Sequence, residues 1–282
     1  MADAHPPWAA VREVVARALA EDLGPLGDLT AALVPPGATA VGALVARAGG
    51  VVAGRRCAEE AFARIGEGAV ELVWRADDGD AVAAGAELAR LRGPLRPVLT
   101  AERTALNLLC HLSGVATLTR RYVDAVAGTP CRILDTRKTT PGLRALEKAA
   151  VRAGGGANHR GSLSDMVLVK DNHLAGTTIA AAVAEARRRW PMRTVEVECD
   201  RLDQVREAAA AGVDVVMVDN MAPDQVAEAV AAVAGRALVE VSGGVTLATV
   251  AAYAAAGADL VSVGALTASA PVLDVGLDLS CC

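Results

Sequence analysis

Lysine is almost missing from this chain. Of 28 lysines and arginines only three are lysine, Lys138, Lys148 and Lys170, and all three fall within 33 residues. A general bias toward arginine explains the rest of the chain but not this cluster. Lysine is a compact point charge whose protonation burial can tune, whereas arginine is a rigid planar fork. Aromatic residues are scarce as well, at 2% against 53% hydrophobic, so the core must be built from Ala, Val and Leu. That composition is of a folded α/β kind and excludes a disordered chain. No apolar run reaches the roughly 18 residues that a membrane span needs. The opening "MADAHPPWAAVREVVARALAEDLG" carries charges throughout and lacks an apolar signal core, so it reads as mature protein.

An excess of positive charge is absent too. The formal net charge is −5, which argues against a general nucleic-acid surface. The six cysteines, at 57, 110, 131, 199, 281 and 282, form no CxxC and no zinc-ligand spacing with a histidine. Scattered thiols in a chain of this length point to a reducing cytoplasm, with cysteine acting as a small hydrophobe and the terminal Cys-Cys as an inert tail. A length of 282 residues predicts one large or two modest domains.

What is present gathers around "LDTRKTTPG" at 134–142. From Arg132 to Lys170 the chain carries eight cations and His159 against three acids, a basic segment in an acidic protein. Such a segment resembles an anion site. A solvated helix face would account for Arg144, Lys148 and Arg152, which recur at a spacing of four. It would not account for Arg137, Lys138 and Lys170, which end strands.

The C-terminal half alternates short β-branched runs with alanine-rich helical runs. The spacing predicts strands at 131–136, 166–171, 193–200, 213–219, 237–244 and 259–265. Helices are predicted near 143–153, 178–189, 202–211, 223–233 and 247–256, with Gly212 and Gly257 closing two of them. Strands alternating with helices imply parallel pairing through right-handed crossovers. An incomplete TIM-like α/β barrel of parallel strands is expected, with a doubly wound open sheet as the alternative. Five of the six strands finish on useful chemistry: Asp135 with Thr136, Arg137 and Lys138, then Lys170, Glu198, Asp219, and Ser242 with Gly243 and Gly244. In a barrel those ends carry the active site. In "VEVE", alternation puts Glu196 and Glu198 on one face and the valines on the other. If the valines meet helices, both glutamates face the interior and need cationic partners.

The first hundred or so residues read differently: an amphipathic helix at 8–21, then short strands with glycine turns, as in a small α+β domain. The division expected is an N-terminal α+β domain at 1–112 and a barrel domain at 113–269, with the tail 270–282 packing back on the first.

The last two strands end in "SGG" and in "VGA" at Val263, Gly264 and Ala265. Small residues there let backbone N–H groups approach an anion, and loops after the last strands of such barrels often hold phosphate. Carboxylates can take ribose hydroxyls or a magnesium shell, and arginines can grip carboxylates through two parallel bonds. No Cys–His or Ser–His–Asp arrangement is visible among the strand ends, so nucleophilic hydrolysis has no support.

The blocks "AERTALNLLCHLSGVAT", "ILDTRKTTPGLRALEKAAVRAGGGANHRGSLSDMVLVKDNH", "VEVECD", "VMVDNM", "VEVSGGV" and "VSVGALT" together resemble the quinolinate phosphoribosyltransferase (nicotinate-nucleotide pyrophosphorylase) family of NAD biosynthesis. The resemblance spans nearly the whole chain. It implies transfer of a phosphoribosyl group from phosphoribosyl pyrophosphate to the ring nitrogen of quinolinate, with magnesium and no organic cofactor. Loss of the 2-carboxylate as carbon dioxide then gives nicotinate mononucleotide and pyrophosphate. By the same resemblance Arg103, Arg137, His159 and Arg160 hold the quinolinate carboxylates. Lys138 and Lys170, with Thr136 beside them, face the pyrophosphate and ribose. Glu198 and Asp219 bind ribose hydroxyls, directly or through magnesium. Ser242, Gly243 and Gly244, with Val263, Gly264 and Ala265, hold the 5′-phosphate. The family's counterpart of Arg103 reaches the neighbouring subunit's site, which implies a homodimer with a shared site and leaves a hexamer open.

Two other enzymes stay open at this stage. One is a Schiff-base aldolase using Lys170. The other is the molybdenum-transport-associated homologue of the same scaffold, which has a different substrate. A non-catalytic phosphate-binding module is the third reading. His111 is expected to pack or to contact a subunit, His173 to lie near the site without touching ligand, and Glu196 to balance charge.

Overall fold

The computed structural model describes residues 4–281, with the side chain of residue 281 left aside. The described chain forms two compact units. Among the described residues one comprises 4–120, 139–155 and 266–281, the other 121–138 and 156–265.

In the first unit the elements are α1 (Trp8–Leu23), β1 (Thr39–Ala46), β2 (Gly50–Val51), α2 (Arg55–Gly66), β3 (Glu71–Trp74), β4 (Ala81–Val82), β5 (Glu87–Pro94) and α3 (Leu95–Ala125), whose end runs into the second unit. Glycine punctuation between short apolar runs produces hairpin-rich structure here. The tail supplies one strand, Val275–Cys281, which pairs antiparallel with β1. It completes a four-stranded sheet in the order tail strand, β1, β5, β3. Leu44, Leu88, Leu106, Leu109, Leu273 and Val275 form one buried aliphatic cluster on that sheet. Phe62, the one phenylalanine of the chain, is fully buried on α2.

The segment 139–155, with α4 (Arg144–Ala153), groups with this unit although it lies between two barrel strands in sequence. The solvated face expected from Arg144, Lys148 and Arg152 is not what forms. Lys148 is buried and Arg144 and Arg152 are half-buried. Glu147, one residue away, has no exposure at all. Its carboxylate meets His111 Nε2 at 2.8 Å and accepts the Thr140 N–H at 3.1 Å. A buried carboxylate requires such partners, and these turn the helix inward.

The second unit holds β6 (Arg132–Leu134), β7 (Val167–Val169), β8 (Val195–Cys199), β9 (Val215–Asp219), β10 (Leu238–Ser242) and β11 (Leu260–Ser262). Between the last five lie α5 (Ile179–Arg189), α6 (Leu202–Ala210), α7 (Pro223–Val233) and α8 (Val250–Ala255). All pairings are parallel, in the order β6-β11-β10-β9-β8-β7. From β7 to β11 each strand lies beside its successor, and β11 then lies beside β6. A doubly wound sheet would reverse its order at a switch point. This sheet winds one way only, and the single unpaired junction, β6 against β7, makes it an incomplete TIM-like barrel. The valines at 195, 197, 216, 218 and 241 have no exposure, as strands covered on both faces require. Thr178 caps α5 by accepting the Ala181 N–H at 3.2 Å, and Pro223 opens α7 where its missing N–H costs nothing.

Candidate functional site

Side-chain alternation brings the chemistry to the C-terminal ends of these strands. Asp135, just past β6, is fully buried. Its carboxylate accepts the His159 backbone N–H at 2.9 Å and the Asn158 side-chain amide at 2.6 Å. Ala157 runs as a one-residue bridge beside Leu134. The "NHR" tripeptide is thereby laid along β6, next to Arg137 and Lys138. Thr136 Oγ1 accepts the Lys138 N–H at 2.9 Å and turns the chain back toward the cavity.

The cavity at these strand ends has a volume of about 540 Å³. It is lined by Thr136, Arg137, Lys138, His159, Arg160, Leu168, Lys170, Glu198, Met217, Asp219, Asn220, Glu240, Ser242, Gly243, Gly244 and Ser262. Lys170 Nζ is ion-paired with Glu198. The backbone N–H of Lys170 donates to His173 Nδ1 at 2.9 Å, so His173 shapes the turn after β7. Asp219 is held above the usual carboxylate range by burial and by Glu198, an effect that Lys170 and Lys138 oppose. Arg160 is lowered by burial first and by Arg137 second. Two cations pressed together while half-buried favour an anionic ligand between them.

The glycine loops are built for close approach. Gly243 has φ +90°, and a Cβ there would lie 2.7 Å from Asn220 Cγ. Asn220 itself sits at φ 56°, donates its side-chain amide to Asp219 at 2.7 Å and its backbone N–H to Ser242 at 2.9 Å. The ends of β9 and β10 are therefore locked as a pair of left-handed turns. Gly244, at φ +60°, has nothing within 4 Å of a would-be Cβ, which leaves the backbone accessible. Gly264 lies against the Lys138 stem, where a Cβ would come 2.8 Å from Cδ. Val263 is buried and donates its N–H to Leu134 at 2.9 Å, and Ala265 begins the short helix that follows.

The cavity thus brings together Thr136, Arg137, Lys138, His159, Arg160, Lys170, Glu198, Asp219, Ser242, Gly243 and Gly244. Arg103 is not in its lining. It is exposed on α3 in the first unit, where it borders a separate cavity of about 300 Å³ with Asp22, Asp28 and Thr100. Sequence reasoning missed Glu240. Its "VEVS" on β10 repeats only half of the "VEVE" alternation of β8, and a lone glutamate does not show which face it takes. Glu196 and Glu240 are 0% and 1% exposed, and His159 Nε2 lies 3.0 Å from the first and 3.6 Å from the second. Among the described residues, two groups could gather donor atoms around a metal ion: His159 with Glu196 and Glu240, and His5 with Asp77 and Asp78.

Four cations, a histidine, a carboxylate pair and glycine turns at the mouth of a parallel barrel define an enzyme of polyanionic, phosphate-bearing substrates. The comparisons with known proteins narrow that class. The description "Quinolinate phosphoribosyl transferase, N-terminal domain" matches residues 28–113, and its C-terminal counterpart matches 115–278. Nicotinate-nucleotide pyrophosphorylase [carboxylating] of Mycobacterium leprae is 44% identical over 279 residues, covering 96% of this chain and 97% of its own. Quinolinate phosphoribosyltransferase [decarboxylating] 2, mitochondrial, of Nicotiana glauca is 36% identical over 98% of this chain and 84% of its own. The solved nicotinate-nucleotide pyrophosphorylase of Francisella tularensis superposes with a TM-score of 0.94 at 37% identity, covering 97% of both chains. The chain belongs to the quinolinate phosphoribosyl transferase family.

Proposed function

We propose that the protein is a quinolinate phosphoribosyltransferase acting in NAD biosynthesis. It transfers the phosphoribosyl group of phosphoribosyl pyrophosphate to quinolinate and releases carbon dioxide. The observation that carries this reading is the joint lining of one cavity by Arg137, Lys138, His159, Arg160 and Lys170 opposite Glu198 and Asp219. A pyridine dicarboxylate and a pyrophosphate together bring more negative charge than either alone, and this lining matches that sum.

The cavity accounts for the chemistry mostly by placement. Arg137 and Arg160 offer planar forks to the carboxylates, with His159 between them, and so aim the ring nitrogen at the anomeric carbon. As that nitrogen bonds to the carbon, pyrophosphate departs with the electron pair of the broken C–O bond. Lys138 and Lys170 neutralise the charge that builds on it. Glu198 and Asp219 hold the ribose hydroxyls, and the Gly243–Gly244 turn with the 262–265 segment receives the 5′-phosphate. The 2-carboxylate then leaves as carbon dioxide, its electrons remain on ring carbon 2 beside the quaternised nitrogen, and a proton replaces it. That nitrogen is the electron sink, so no organic cofactor is needed.

The two carboxylates also fit magnesium, which prefers oxygen ligands, keeps several waters and binds largely through substrate phosphates. When bound it supplies charge neutralisation on the diphosphate. The exposure of Arg103 outside this lining supports its action in a partner's site, hence a homodimer, with further assembly to a hexamer open. The free thiols at Cys57, Cys110, Cys131 and Cys199 support a cytoplasmic protein, and no helix among the described residues is long and apolar enough to cross a membrane. Cys282 lies outside the described residues. The ion pair of Lys170 with Glu198 occupies the amine that a Schiff-base aldolase would need free to attack a carbonyl.

Quinolinate, phosphoribosyl pyrophosphate and magnesium should give nicotinate mononucleotide, pyrophosphate and carbon dioxide in equal amounts. No product with all three present would refute the reading.

A further inference from the structure

Among the described residues, three other than glycine adopt a left-handed backbone: Glu67, Asn220 and Ala234. Glu67 and Ala234 close the C-termini of α2 and α7, where that conformation is ordinary. Asn220 closes no helix. It follows directly on Asp219 at the end of β9, and it lines the cavity. A left-handed residue other than glycine costs energy that the surrounding structure must offset, and such residues gather at functional sites. Asparagine bears that cost better than most side chains. Its identity explains how the turn forms, not what the turn is for.

The contacts of Asn220 show what the turn achieves. Turning left brings its side chain back beside Asp219, where the amide Nδ2 donates to Oδ2 at 2.7 Å. That bond anchors one carboxylate oxygen and fixes the direction in which the other faces. The backbone N–H of Asn220 donates to the Ser242 carbonyl at 2.9 Å, one step beyond the last in-register pair of β9 and β10, Asp219 with Ser242. The carboxamide then covers the open face of Gly243. A Cβ at 243 would lie 2.7 Å from Asn220 Cγ and 2.9 Å from its backbone nitrogen. One residue therefore touches both the carboxylate at the end of β9 and the glycine turn at the end of β10.

We propose that Asn220 is a positioning residue for the phosphoribosyl donor, holding the Asp219 carboxylate and the Gly243–Gly244 turn at a fixed spacing so that ribose hydroxyls and 5′-phosphate are met together. The proposal rests on the quinolinate phosphoribosyltransferase reading above, in which those two groups meet the donor. Contacts set in place before the ligand arrives spare the ordering cost that binding would otherwise carry. The chemistry of the side chain suits the task. A carboxamide donates to a carboxylate without adding charge beside a phosphate. Aspartate at 220 would have the same shape and the same tolerance of the left-handed backbone, but it would set a second carboxylate against Asp219 and beside the phosphate turn.

The test separates the amide from the turn. Asn220 is exposed, so trimming it opens no core cavity. Asn220→Gly keeps the left-handed backbone without strain and removes the amide. It should fold with an unchanged melting temperature. Its dissociation constant for ribose 5-phosphate, measured by calorimetry without acceptor or metal, should rise about five- to tenfold, the scale of a single hydrogen bond. The KM for phosphoribosyl pyrophosphate should rise in parallel, and the KM for quinolinate should stay within about twofold, below what loss of one hydrogen bond would bring. Asn220→Asp should bind ribose 5-phosphate more weakly than Asn220→Gly. Wild-type affinity in Asn220→Gly would overturn the proposal and leave the quinolinate reading standing, because the turn alone would then be all that the residue supplies. Equal rises for both substrates, a lowered melting temperature in Asn220→Gly, or an Asp variant that binds as well as the Gly variant would overturn it too. Wild type that binds ribose 5-phosphate but gives no product from quinolinate would refute the quinolinate reading, with the order of the variants still deciding the proposal. Wild type that does neither would refute both.

Discussion

Gly264 carries the stem of Lys138: a Cβ at position 264 would stand 2.8 Å from Lys138 Cδ. The backbone there is in an ordinary conformation, so alanine can be accommodated once the flexible lysine yields. Gly264→Ala should therefore fold normally while displacing the ammonium. The expected result is a loss of about 1–3 kcal/mol in kcat/KM for phosphoribosyl pyrophosphate, the scale of a charged hydrogen bond. Unchanged kinetics with an unchanged melting temperature would remove Lys138 from the pyrophosphate.

Arg137 and Lys138 are adjacent but should not be interchangeable. Lys138→Arg spreads a point charge over a plane and should impair use of phosphoribosyl pyrophosphate more than of quinolinate. Arg137→Lys loses the fork that a carboxylate matches and should do the reverse. Each loss should be about 1–3 kcal/mol in kcat/KM. If the pair merely neutralises buried acids such as Asp135, both variants will keep near-wild-type profiles for both substrates.

The exposure of Arg103 predicts complementation between subunits. Arg103→Ala and Lys138→Ala homodimers should each be nearly inactive. Mixed and reassembled, they should regain activity, because one site of the mixed dimer retains both residues. No recovery after verified subunit exchange would place Arg103 outside a shared site.

Glu240 also makes a stability prediction whose sign follows from proton linkage. Its value is raised from 4.5 to about 8 by burial and by Glu196. Between those values the folded chain keeps a proton that the unfolded chain has lost. The associated stability is complete below pH 4.5 and is lost as pH rises through about 8. Urea unfolding should show wild type losing up to about 1.4 kcal/mol per pH unit relative to Glu240→Gln over that window, with parallel curves above it. Curves parallel from pH 5 to 8 would show that Glu240 ionises normally.

The strand–helix rhythm was legible because buried parallel strands are built from β-branched runs, and four of the six here reach Lys170, Glu198, Asp219 or Ser242 at their ends. The direction of "VEVE" could be reasoned from alternation, and the fully buried Glu196 with the cavity-lining Glu198 follows it. Glu240 was not recognised, because a lone glutamate between valines looks the same whether it faces solvent or the barrel. Only the pairing of Glu240 with Met217 on β9 and Leu260 on β11 places it inside. The charge spacing of Arg144, Lys148 and Arg152 misled for a related reason. Spacing identifies a common face but not what covers it, and here Glu147 and His111 draw the helix inward. Gly264 was read as a phosphate loop residue; its packing against a side chain 126 positions earlier is a tertiary fact that no local pattern carries.

The most direct test of the central claim compares quinolinate with nicotinate, which lacks the 2-carboxylate, as acceptors under identical concentrations of phosphoribosyl pyrophosphate and magnesium. A floor of Arg137, His159 and Arg160 shaped for a dianion loses charge-assisted contacts when one carboxylate is missing, a cost of about 2–5 kcal/mol. The account predicts a kcat/KM for nicotinate lower by at least about thirtyfold, the lower end of that range. Comparable turnover of the two acceptors would contradict it.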